Sequence, residues 1–495
     1  MVALLRLLAQ LSIAALLPSM SPTIHKIRSR RLHARVRSVH PNPPSRESQC
    51  VRPLPDIPIP KRRGAQLGRP GLHLMRDVMP VQPVLDPALP TLPLAFDLEE
   101  LSRRFTELSK QTRHHLAVST CERVDTTYEP GVRCLAAYEL VGTSSGEVRA
   151  PTYGVLDVDS SGAVQRLFPD DPELPALVEA ADPGAMRERL NDLPAVTGLR
   201  VIENCAVKPL RYKPGRRCVL RYDLTGEGKH ATVIGKLVAS GGERLHAALV
   251  TLHESNATNP SLPRVPRPLF HWPDLDLVVQ TEVTGNTLTA RALDESPSSA
   301  ATDDWMRSAG NGLGALHHHV AASTAPRRAL VDDVRDLEGF ETLLTQLAPR
   351  SARDFREVLM AISRHASAAV EPPHCPSHGA LRTDQFLVGD DGGLVLMDLD
   401  GFCSATPARD IGNLLAYLDW RVIRRPRDAA LVDRARSAFL DGYAALGSLP
   451  KSSWLALFRA TSMLKIAGRR LESFSFEEWE LVPELIDAAR RTLPA

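Results

Sequence analysis

Aromatic residues are scarce in this chain, at 5% of 495 residues. Its seven cysteines are scattered, odd in number and without a Cys-x-x-Cys pair, which argues against a disulfide framework and a zinc site and for reduced thiols in the cytoplasm. The net charge is only +2, so no strong field draws the chain to nucleic acid or to a membrane surface. Met1 to Leu17 is largely apolar with Arg6 as its only charge; it is too short and interrupted for a membrane span and at most a weak signal peptide. What is plentiful is proline, with 40 residues, which points to long irregular stretches. Hydrophobic content of 43% and charged content of 24% are ordinary for a globular protein. The length exceeds the roughly 250–300 residues that one core sustains, so two or three units are expected.

Residues 1–90 do not read as fold. His25 to Arg76 is rich in Arg, Pro and Ser, with Glu47 and Asp56 its only acids. This is a disordered arm, or a start placed too early with Met75 or Met79 as the true one; the alternative is a targeting or nucleic-acid-binding tail. Residues 91–199 read as a small α+β cap, with a helix over Leu98 to Ser109 and strands over Cys134 to Leu140 and Thr152 to Val158. Glu173 to Asp192 is helical with a Pro-Gly interruption.

From Arg200 the pattern changes. Arg200 to Leu210 and Cys218 to Leu224 alternate as strands around the basic turn Arg211 to Arg217, which has no Gly-x-Gly-x-x-Gly. Ala231 to Val238 is a third strand with Lys236 inside it, and a lone buried Lys is costly unless paired. The helix Gly242 to Glu254 offers Glu243 and Glu254 as partners. Leu275 to Val283 is another buried strand, and from Asp303 the chain is mostly helical. His317 to His319 looks like a metal cluster but reads as a helix flank, because successive helix positions point apart and cannot chelate one ion well. Lys465, Arg469 and Arg470 lie on or beside the last bundle, solvating it or forming a substrate-facing basic patch.

The organising stretch is Ser377 to Trp420. His378-Gly379 open a tight loop, Gln385 to Val388 and Leu394 to Met397 are short strands, and Asp398-Leu399-Asp400 ends the second. Pro407 and Asp410 set up a helix near Ile411. Two carboxylates at a strand end suit Mg²⁺, a hard cation that takes oxygen ligands.

This stretch resembles the catalytic core of the aminoglycoside phosphotransferase and choline kinase-like family. The family's H-G-D-x-x-x-x-N stands here as His378-Gly379-Ala380 to Gln385, its D-x-D as Asp398-Leu399-Asp400, and its closing aspartate as Asp410. Ala380 occupies the position of the catalytic Asp, and Gln385 that of the metal-binding Asn, as in maltokinase-like members. The resemblance implies an α+β, bilobal protein-kinase-like fold: a small lobe over 200–284 and a helical large lobe over 285–495. It implies ATP and Mg²⁺ as cofactors. Lys236, Lys213 and Arg216 (or Arg217) would meet phosphates, the backbone of Thr281 to Val283 the adenine edge, and Asp398, Gln385 and Asp400 the metal. His378 and a relocated base, Asp384, would stand in the catalytic loop. The implied activity is transfer of the γ-phosphoryl group to a hydroxyl of a sugar, aminoglycoside or amino alcohol. The alternative is a nucleotide-binding pseudokinase that acts as a switch or scaffold.

Overall fold

The computed structural model describes residues 84–494 except 113–114, 145–146, 149, 194–196, 296–298 and 321–324. The arm and its candidate starts lie outside the described residues. Packing begins before residue 91, since Val84 and Leu89 are already core. Helix α1 (Leu98–Lys110) is capped by Asp97, whose side chain accepts from the Glu100 amide at 2.9 Å. It buries Leu101 and Phe105, one turn apart, against the cap sheet.

That sheet runs β1 (Ala117–Glu129), β2 (Arg133–Ser144), β4 (Thr152–Asp159), β5 (Gly162–Leu167), with β3 (Glu147–Val148) on β2. Strand β1 is absent from the sequence reading because its residues are largely polar and two register shifts break its alternation. The stretch expected as one interrupted helix is two short ones, α2 (Leu177–Ala180) and α3 (Pro183–Asn191).

The small lobe is a five-stranded antiparallel sheet in the order β6 (Asn204–Lys213), β7 (Arg217–Gly226), β8 (Lys229–Val238), β10 (Leu277–Thr281), β9 (Pro268–Trp272). Helix α4 (Gly242–Thr258) follows β8 and buries Leu245, Ala248, Leu249 and Leu252.

Cap and small lobe repeat one device. Tyr128-Glu129-Pro130-Gly131-Val132-Arg133-Cys134 turns β1 into β2, and Tyr212-Lys213-Pro214-Gly215-Arg216-Arg217-Cys218 turns β6 into β7. Each is preceded by Asp-Pro-x-Leu-Pro-x-Leu, from Asp86 and from Asp171. Asp86 accepts from Tyr128 Oη and the Gly131 amide, both at 2.7 Å. Asp171 accepts from Tyr212 Oη at 2.7 Å and the Gly215 amide at 2.9 Å. Gly131 and Gly215 have φ of 72° and 67°, which glycine adopts at little cost. A carboxylate thus ties each turn to the segment before it.

The large lobe holds α5 (Ser299–His319), α6 (Leu330–Glu338), α7 (Phe340–Leu347), α8 (Pro349–Ala368), α9 (Pro407–Arg424), α10 (Ala429–Ala444), α11 (Ser452–Glu472) and α12 (Val482–Thr492). Two small sheets sit among them. In one, β11 (Asn286–Thr287) pairs with β13 (Phe386–Val388), which pairs with β14 (Leu394–Leu396); in the other, β12 (Cys375–Ser377) pairs with β15 (Cys403–Ala405). The cap packs on both lobes: Tyr128 and Phe96 meet Phe474 at 5.0 and 5.1 Å between ring centres, and Tyr153 and Phe168 meet Tyr212 at 5.6 and 5.5 Å.

Candidate active site

Lys236 sits on β8 between Val219 of β7 and Val278 of β10 and is 8% exposed. Its Nζ is 2.9 Å from Asp398 Oδ1 and also contacts Asp400. Arg217 Nη1 lies 2.9 Å from the same Asp398 oxygen and contacts Asp400 as well. Two cations of the small lobe therefore meet two acids of the large lobe. The repeat shows why. In the cap, Arg133 finds its acid within its own sheet, Asp157 at 2.7 Å. Asp157 lies next to Val158, the cross-strand partner of Cys134; Lys236 lies next to Leu237, the partner of Cys218. With Lys in that place, the small-lobe sheet supplies two cations and no acid, and the acids come from outside.

Asp398 is brought there by an unusual backbone, φ 60° and ψ 53°, which Asp tolerates better than most residues. Burial raises the Asp398 pKa, but Lys236 and Arg217 outweigh it and hold the carboxyl well below the usual range.

The loop from His378 is fixed from below. Asp410, fully buried at the start of α9, accepts from the His378 and Gly379 amides, both at 2.7 Å. His317 Nε2 donates to Asp410 at 3.2 Å, and its Nδ1 meets Tyr443 Oη at 3.0 Å. The reading of His317 as a helix flank is corrected here: it is buried and braces the loop. Burial raises the Asp410 pKa, yet His317, His378 and the main-chain donors bring it below the usual value. His378 is itself a strut, donating from Nε2 to the Met397 carbonyl at 2.9 Å. Gly379 has φ 88°, and a Cβ there would collide with the Gly401 carbonyl.

The remaining expected site residues divide. Gln385 is buried beside this turn, with its amide oxygen accepting from the Arg382 N–H at 2.7 Å. Asp384 faces solvent, clamped by Arg382 through 2.8 and 2.9 Å bonds, and does not line the cleft that holds Ala380. Lys213 reaches the cap instead of the acid pair, 3.1 Å from Asp125, and Arg216 is exposed. The turn meant to cover phosphates is thus tied to the cap, and the cation that reaches the acid pair is Arg217. Neither Glu243 nor Glu254 meets Lys236; both are exposed, and the buried face of α4 carries no acid. The Thr281 amide is used, donating to the Arg267 carbonyl at 3.0 Å. Val283 is half-buried just past the end of β10.

Beneath Ala380 opens a cleft between the loop, α9 and α11. It is lined by Ala380, Arg382, Arg409, Lys465 and Arg469, with Asp333 its acid. Arg409 holds both Asp333 oxygens, at 2.5 and 2.7 Å, and donates to the Gly379 carbonyl at 3.0 Å.

Fold and site together define an α+β, bilobal protein in which the buried Lys236 meets the half-buried Asp398 between the lobes. The family described as the phosphotransferase enzyme family (APH) matches residues 243–449, a segment that holds the His378 loop, Asp398 and Asp410. Comparison with curated proteins gives no match. Among solved structures, the chain is similar to a spectinomycin phosphotransferase bound to ADP and spectinomycin (12% identity, TM-score 0.43, covering 63% of this chain and 98% of that one). It is also similar to a choline kinase from Streptococcus pneumoniae (13%, 0.41, 62% and 97%) and to an aminoglycoside phosphotransferase-like protein from Ralstonia eutropha (12%, 0.45, 62% and 97%).

Proposed function

We propose that this chain is an ATP-dependent phosphotransferase acting on a hydroxyl of a small molecule. The observation that carries this is the contact of buried Lys236 with half-buried Asp398, 2.9 Å across the lobe junction. A buried Lys beside a strand-end aspartate is suited to phosphate oxygens on one side and a cation on the other. Lys236 and Arg217 hold phosphates, and the Val283 backbone takes the adenine edge. Asp398, Asp400 and the Gln385 amide oxygen are all hard oxygen donors, the set that Mg²⁺ accepts. Such an ion would neutralise phosphate charge.

In the transfer, the acceptor oxygen bonds to the γ-phosphorus as the bond to the bridging oxygen breaks. ADP leaves with the electron pair, and the hydroxyl proton passes to a phosphoryl oxygen or to solvent. Neither Asp384, held by Arg382, nor Asp333, held by Arg409, offers a free carboxylate beside Ala380. Transfer then rests on positioning and charge. Ala380→Asp is expected to raise turnover by up to about 10²-fold, and Asp384→Asn to change it little. Label transfer from γ-labelled ATP to pooled hydroxyl compounds measures both. A large loss in Asp384→Asn would identify Asp384 as the base instead.

A second reading, a nucleotide-binding protein without turnover, is favoured by one observation: Ala380 lacks a carboxylate while Arg217 grips both acids. Bound nucleotide with no transfer in wild type or Ala380→Asp would select it. No helix among the described residues is long and apolar enough to cross a membrane. The described cysteines are all free thiols, which suits a cytoplasmic setting.

A further inference from the structure

The cleft beneath Ala380 is cationic, and its cations are not equivalent. Arg382 is neutralised by Asp384 through two bonds of 2.8 and 2.9 Å, and Arg409 by Asp333 through two of 2.5 and 2.7 Å. Lys465 and Arg469 differ. They stand one turn apart on α11, with Ser462 on the same face, and all three line the cleft. Among the described residues, neither cation's side chain makes a hydrogen bond or an ion pair. The acids that bear on them do not cancel them. Asp333 is turned to Arg409 and Asp336 to Arg328, and Glu472, one turn along α11 from Arg469, makes no ion pair with it. Lys465 is half-buried, and its amine is pushed below its ordinary value by burial and then by Arg469. Lys465 is partly desolvated and the exposed Arg469 beside it adds a like charge, an arrangement that an anion between them relieves.

We propose that the acceptor is an anion: a small hydroxyl compound whose carboxylate or phosphate group binds Lys465 and Arg469, leaving its hydroxyl beside Ala380. This rests on the phosphotransferase reading and narrows its substrate class. A polycationic aminoglycoside or a quaternary amino alcohol would meet two unpaired positive charges and no free carboxylate there. The transfer is that written above, with the acceptor's own charge serving only to hold it.

The test uses the full chain and matched probes: D-glycerate and glycerol 3-phosphate against neutral glycerol, and choline and kanamycin as cations. Binding is read by calorimetry without ATP, and transfer by label from γ-labelled ATP. The anions are expected to bind at least about tenfold more tightly than glycerol, with the cations not binding. Lys465→Gln and Arg469→Gln are each expected to lower anion affinity about tenfold or more while ATP affinity is retained, which also shows that the variants fold. D-Glycerate over glycerol 3-phosphate, or the reverse, separates the carboxylate from the phosphate form. Tighter binding of glycerol or the cations, or anion affinity unchanged in both variants, would overturn the inference. Failure of wild type to bind ATP would instead defeat the phosphotransferase reading, and the anion titration without ATP would still decide whether the cleft takes anions.

Discussion

Asp410→Ala is expected to lower the free energy of unfolding by about 3–5 kcal/mol, the range for removing one partner of a buried charged network. Its carboxylate is fully buried and takes two main-chain amides at 2.7 Å and His317 at 3.2 Å. Truncation removes the acceptor of the buried His378 N–H and of the half-buried Gly379 N–H, and an unsatisfied buried donor costs about 1–3 kcal/mol. Asp410→Asn keeps the shape and one acceptor oxygen and should cost less. The same group sets an acid limit. Its pKa in the fold is depressed, so its contribution is complete above the unfolded value, about 3.9, and is lost as pH falls through the lower folded value. Urea midpoints from neutral pH to about pH 3 test both effects. A loss under about 1 kcal/mol in Asp410→Ala would show that the loop is held by something else.

Asp398→Asn is expected to remove most of the magnesium dependence of ATP binding, weakening affinity in Mg²⁺ by about 10²-fold or more. Without Mg²⁺ the effect reverses in sign. Asp398 neutralises Lys236 and Arg217, each through a 2.9 Å contact, and an amide in its place frees both cations for phosphate oxygens. Metal-free nucleotide should bind as well as in wild type or better. Calorimetric titrations with Mg²⁺ and with EDTA give the four values. A uniform loss in both conditions would mean that Asp398 only supports the fold.

The strands, the helix order and the His378, Asp398 and Asp410 spacing are readable from the sequence, because apolar periodicity and turn residues are local signals. Strand β1 is not, since its residues are largely polar and its register shifts twice. The partner of Lys236 is a tertiary fact: α4 supplies no inward acid, so charge balance is met by Asp398 from a distant segment. Arg217 over Lys213 and Arg216 is decided by a turn whose side chains alternate in direction, and by Asp171 and Asp125 of the cap. That signal is present in the chain, because Asp-Pro-x-Leu-Pro-x-Leu and Tyr-x-Pro-Gly-x-Arg-Cys each occur twice. His317 is hidden among three histidines, only one of which has a buried carboxylate in reach.

The most direct measurement is ATP binding by calorimetry to the full chain, wild type against Lys236→Ala, in the presence of Mg²⁺. Saturable binding to wild type that is lost in Lys236→Ala is the expected result. Equal affinity in the two proteins, or no binding to wild type, would contradict a nucleotide site built on the Lys236–Asp398 pair.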